Sequence, residues 1–173
     1  MFLAAMAAYD QTAPGALTWE QHPALNWNDF KGRARRTAGE PSAVTDTGFR
    51  VQLECREGAL DIRVAAEFYR NSSWVKPGAK SVELLRHEQG HFDITELYAR
   101  KMRKAIREGN IGCEDDRRAE AAGKRIFEQL DQQWEKAEKQ YDADTSDGTD
   151  LGKQKQASAR IRGELAELSR YTR

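Results

Sequence analysis

The sequence predicts an α+β fold, a small antiparallel sheet followed by three helices, and three observations predict it. Apolar residues alternate at a period of two through residues 49–68. They recur at spacings of three and four after residue 80, and turn-forming residues gather between these regions rather than inside them. At 173 residues the chain is of one-domain size, and residues 13–173 are expected to form a single domain behind a leader at 1–12. Lys plus Arg and Asp plus Glu each number 28, so bulk charge draws the protein neither to nucleic acid nor to an anionic membrane. No apolar run approaches the ~20 residues of a transmembrane helix, and no stable membrane insertion is expected.

Residues 1–8 are apolar and small, with an A-x-A-like stretch but no basic start. They read as the end of a signal peptide whose beginning is missing, or as an ordinary leader. Residues 9–41 carry Pro14, Pro23 and Pro41 among short apolar pieces, which predicts loops with one edge strand; Trp19, Trp27 and Phe30 fold back onto the core. His22, before Pro23 in a polar stretch, is a surface residue. The basic run Lys31, Arg33, Arg35 and Arg36 lacks interleaved aromatics and reads as a solvated loop.

Phe49, Val51, Leu53 and Cys55 alternate with polar residues, and after Glu57-Gly58 the alternation resumes through Leu60, Ile62, Val64, Ala66 and Phe68. This predicts a β-hairpin with one buried face. Residues 71–78 turn the chain, Pro77-Gly78 breaks it, and Ser81 or a neighbour caps a helix over about 81–108. Its inward stripe is Val82, Leu84, Leu85, Glu88, His91, Ile94, Thr95, Tyr98, Met102 and Ala105, and basic residues crowd its last turns before Gly109. A second helix opens at Glu114, Asp115 and Asp116, with the stripe Ala119, Ala122, Ile126, Leu130, Trp134, Ala137 and Tyr141. Residues 141–150 read as a polar break. Ala157, Ile161, Leu165 and Leu168 mark a final helix. Cys55 and Cys113 permit one disulfide, expected only in an oxidising compartment.

The chemistry concentrates in His87-Glu88-Gln89-Gly90-His91, an H-E-x-x-H pattern inside the first long helix. Residues four apart lie one above the other, so His87 and His91 can present two imidazoles to one zinc ion, with Glu88 on the same face. Three protein ligands leave the fourth position for water, whose pKa the ion lowers towards ~7, and a neighbouring carboxylate can take the proton. A glutamate on a buried face also calls for a partner. Gly90, mid-helix at a cost of ~1 kcal/mol against Ala, leaves room beside the ion or is simply tolerated. The function expected is a zinc-dependent metallohydrolase with Glu88 as general base, a peptidase whose partner is a peptide or protein substrate. The alternative is a non-catalytic zinc-binding module; the oligomeric state is unknown.

A third ligand must come from elsewhere. Two antiparallel helices of similar length return residues near 141–150 to the level of His87, so the acidic stretch is the best donor. Asp147 is the choice because Gly148 allows a tight turn behind it; Asp142, Asp144 and Glu96 are alternatives. Asp93, two residues beyond His91, suits a supporting role better than a ligating one. As a calcium loop the stretch lacks the closing glutamate.

Leu25-Asn26-Trp27-Asn28-Asp29-Phe30-Lys31-Gly32, residues 43–48, Ser73-Trp74-Val75 and the block from Leu84 to Arg103 together resemble a bacterial domain-of-unknown-function family described as secreted zinc-dependent proteases. The resemblance implies a zincin-like fold, peptidase chemistry and export, to the periplasm or beyond. The family also carries a segment similar to Tyr141-Asp142-Ala143-Asp144-Thr145, usually continuing to a His-Gly pair that could supply a third imidazole. Here that pair is Asp147-Gly148.

Overall fold

The structure, a computed structural model, describes residues 13–34 and 41–172; the expected leader at 1–12 lies outside them, as do Arg35 and Arg36. The elements run β1 (Ala16–Thr18), β2 (Ala43–Val44), β3 (Thr47–Arg56), β4 (Ala59–Tyr69), β5 (Trp74–Val75), α1 (Val82–Gly109), α2 (Asp116–Thr145) and α3 (Leu151–Glu167), ending in a 3-10 turn at Ser169–Tyr171. The α+β architecture expected is the one observed.

The hairpin β3–β4 turns at Glu57-Gly58, both with positive φ, and its register pairs Phe49 with Ala66, Val51 with Val64, Leu53 with Ile62 and Cys55 with Leu60. Side chains directly opposite share a face, so every apolar residue of the alternation points the same way, towards the helices. The edge strand expected in the N-terminal region is β1, antiparallel to β4, in the sheet order β1-β4-β3. A second ribbon, β2 with β5, pairs Ala43 with Val75 and Val44 with Trp74. Two-residue strands carry no readable period, which is why the ribbon was not legible.

α1 runs through the middle of the molecule, against the sheet on one side and α2 and α3 on the others. Met102 of the expected stripe is fully buried, as are Phe92, Ala99 and Ile106 beyond it, while Val82 is 68% exposed. A helix covered on several sides needs no polar face. Among its buried charged residues Glu96 is paired with Arg100 and Arg103, and this ion-pair network removes Glu96 from the candidate ligands.

α2 returns antiparallel, bringing Trp134 to Thr95 and Tyr141 to His87. It continues to Thr145, so the polar break expected over 141–150 is confined to 146–150. Tyr141 and Thr145 are buried against α1, and the Thr145 hydroxyl donates to Tyr141 O at 2.7 Å; packing overrides polar composition there. Cys55 and Cys113 form a disulfide that ties the tip of the hairpin to the α1–α2 connection. No helix among the described residues is long and apolar enough to cross a membrane.

Candidate metal centre

Ser81 caps α1, its hydroxyl accepting from Leu84 N at 3.0 Å, and the first three turns carry His87 and His91 to the floor of an open cleft. The cleft's walls are β2 with Ser42 and Thr45 on one side and Asp147, Gly148, Thr149 and Leu151 on the other. The two Nε2 atoms are 3.3 Å apart, and Asp142 Oδ1 lies 3.3 Å from His87 Nε2 and 3.1 Å from His91 Nε2. Among the described residues, these three form the cluster of donors able to hold one ion.

The trio fits zinc by its own dimensions. Donors ~2.0–2.1 Å from a tetrahedral ion stand about 3.3 Å from one another. Two imidazole lone pairs that close repel unless a cation or proton lies between them. Burial alone would depress His91, but its contacts with Asp142 and Glu138 more than offset this and push it up to about 10. Burial would raise Asp142, and the two imidazoles overcome that, holding its carboxyl well below the usual range.

Both rings are fixed through Nδ1. His87 Nδ1 is 3.1 Å from Gln154 Oε1, on α3, whose amide donates at 2.6 Å to the Tyr141 hydroxyl. His91 Nδ1 is hydrogen-bonded to Glu138 Oε2. An acceptor on Nδ1 selects the tautomer that leaves the Nε2 lone pair for a ligand.

Glu88 is 3% exposed, and its Oε2 accepts from the Thr45 hydroxyl at 2.7 Å. Thr45 is held by the corner beside it, where Asp46 N donates to Ser73 Oγ at 2.9 Å. Burial pushes the Glu88 carboxyl above its ordinary value, against the Thr45 hydrogen bond and the nearby imidazoles. Thus the buried glutamate has the partner its position demands, a hydroxyl.

The structure brings together His87, Glu88 and His91 but not Asp147. Because α2 runs on to Thr145, Asp142 keeps the helix face turned to the histidines; the chain then passes through left-handed Ser146 and Asp147, leaving Asp147 exposed on the cleft wall. Asp144 instead accepts from Gln140 at 2.6 Å. Asp93 supports no ligand: it accepts from Trp19 Nε1 at 2.9 Å and Gln89 Nε2 at 2.8 Å. Gly90 makes room for Tyr141 rather than for an ion, since a Cβ there would lie 2.0 Å from the tyrosine oxygen. Tyr141 stacks on His87 with ring centroids 5.0 Å apart and donates to His87 O at 3.1 Å, a packing role. Thr45, Glu138 and Gln154 were missed. Only Glu138 left a signal, lying four residues before Asp142 on the face that also carries Trp134.

The model of a bacterial family described as a protein of unknown function, DUF922, matches residues 6–148, and the chain belongs to that family. No curated protein and no solved structure matches it. The matched span holds the donor trio and Glu88 but ends before α3, which supplies Gln154.

Proposed function

We propose that the protein is a zincin-like, zinc-dependent hydrolase acting on peptide bonds, its ion held by His87, His91 and Asp142, with Glu88 as general base. The observation that carries the reading is the convergence of three donors at tetrahedral separations in the cleft that Glu88 also lines. When bound, zinc supplies Lewis acidity that polarises a carbonyl and acidifies water.

Glu88 handles the proton. With Oε2 held by Thr45, the carboxylate is oriented to take a proton from the attacking water and return it to the departing amine nitrogen. Burial raises the affinity of Glu88 for protons, which is the direction a proton-accepting role calls for. The substrate class is supported by β2, which pairs with β5 alone among the described residues while its own residues line the cleft; an extended peptide can add along such an edge. The Cys55–Cys113 disulfide supports export to an oxidising compartment, periplasmic or extracellular.

Glu88→Gln keeps size and shape and removes the base. Zinc-loaded wild type is expected to cleave members of a mixed peptide library, and Glu88→Gln to retain zinc while losing at least 100-fold in kcat/KM. Equal rates would contradict the assignment. Asp147 at the cleft wall, where the family resembled usually has histidine, favours a second reading, zinc binding without turnover. A fully loaded wild type that cleaves nothing in the library decides for it.

A further inference from the structure

We propose that Glu138 is the positioning residue of this centre: its carboxylate, itself held by Trp134, fixes the His91 ring and strengthens Nε2 as a zinc ligand. The inference rests on the reading of His87, His91 and Asp142 as a metal site. It arises from the register of two antiparallel helices. On α1, His87, His91 and Thr95 follow one another at intervals of four, and on α2 so do Trp134, Glu138 and Asp142. The rows meet as rungs: Asp142 touches both imidazoles, Glu138 bonds His91, and Trp134 bonds Thr95.

Each end of the Glu138 carboxylate is occupied within this ladder. Oε2 meets His91 Nδ1, and Oε1 accepts from Trp134 Nε1 at 2.9 Å. Trp134 also donates to Thr95 Oγ1 at 3.2 Å, and the Thr95 hydroxyl donates to His91 O at 3.0 Å, so ring and backbone of His91 are held from the same side. Glu138 has no Lys or Arg partner among the described residues. A half-buried carboxylate is costly without a counter-charge, and what faces it is an imidazole whose other nitrogen points at the donor cluster.

The two imidazoles are therefore backed differently. Behind His87 stands the neutral carboxamide of Gln154, which sets a tautomer. Behind His91 stands a carboxylate, which sets the tautomer and also draws on the Nδ1 proton, leaving more electron density on Nε2. Loss of such a partner typically weakens metal binding by about 10- to 100-fold.

The test measures zinc affinity by competition with a chromogenic chelator in wild type, Glu138→Gln and Glu138→Ala, with the visible spectrum of the Co2+-substituted proteins as a second readout. Glu138→Gln retains an acceptor without the charge and is expected to weaken zinc about tenfold; Glu138→Ala is expected to weaken it about 100-fold and to shift the Co2+ bands. Melting of the zinc-free proteins separates a structural role, which would lower the melting temperature and leave zinc affinity in the folded protein unchanged. Unchanged affinity in folded Glu138→Gln overturns the proposal even if Glu138→Ala fails to fold. Zinc absent from the wild type overturns the metal-centre reading itself, a different failure from normal zinc binding indifferent to Glu138.

Discussion

Residues 87–93 divide their contacts among three parts of the molecule. His87 and His91 meet Asp142, Glu88 meets Thr45, and Phe92 is buried in the sheet-facing core. Gln89 accepts from Leu25 N at 2.7 Å and donates to Pro23 O at 3.0 Å, while Asp93 holds Trp19, so these two fasten the N-terminal segment to α1. The pattern of histidines and glutamate was legible because its meaning lies within one helical turn. The reason for Gly90 was not, because Tyr141 is brought to it by tertiary packing. Two effects of opposite sign meet in Gly90→Ala: helix propensity favours Ala by ~1 kcal/mol, and the Cβ would lie 2.0 Å from the Tyr141 oxygen. Overpacking of about 1–3 kcal/mol wins, because the ring is wedged between His87 and Gln154. Thermal unfolding of Gly90→Ala should show net destabilisation and chelator competition weaker zinc binding; a stabilised variant with normal affinity would refute the packing account.

At the scale of elements, the hairpin and the three helices were legible from periodicity, whereas the carboxylate that lies against the two histidines was not, for a physical reason. Five of the ten residues from 141 to 150 are Asp or Gly, which reads as loop, yet contacts with α1 keep α2 helical through Thr145. That extra turn exchanges Asp147 for Asp142. The same long helices keep the disulfide remote from the donors: Cys113 follows the end of α1, and the 22 positions from His87 to Gly109 span about 33 Å of helix. With the cysteines 58 positions apart in sequence, the crosslink contributes about 4 kcal/mol through the unfolded chain. The double variant Cys55→Ser, Cys113→Ser should therefore unfold at markedly lower denaturant while still binding one zinc per folded chain. Loss of zinc at unchanged stability would contradict this separation of staple from site.

For the whole molecule, the site joins elements distant in sequence: two donors come from α1, one from α2, and the support behind His87 from α3. A ligand spanning elements binds the native state and not the unfolded chain, so zinc at 100 times its Kd should stabilise the protein by about 2.7 kcal/mol. For a domain of this size that raises Tm by roughly 5–10 °C, and a chelator should reverse it. Zinc that leaves the melting curve unmoved would argue against a site that bridges the helices. The overall neutrality of the chain gave no hint of this arrangement, because the donors sit in one cleft while opposite charges balance elsewhere.

The most direct measurement is zinc stoichiometry by elemental mass spectrometry on wild type, His87→Ala, Asp142→Asn and Asp147→Asn, each checked for folding. The account predicts one zinc per chain in wild type and Asp147→Asn, and little or none in His87→Ala and Asp142→Asn. Zinc kept by Asp142→Asn and lost from Asp147→Asn would return the third ligand to the cleft wall, and a wild type that takes no zinc at all would contradict the metal centre outright.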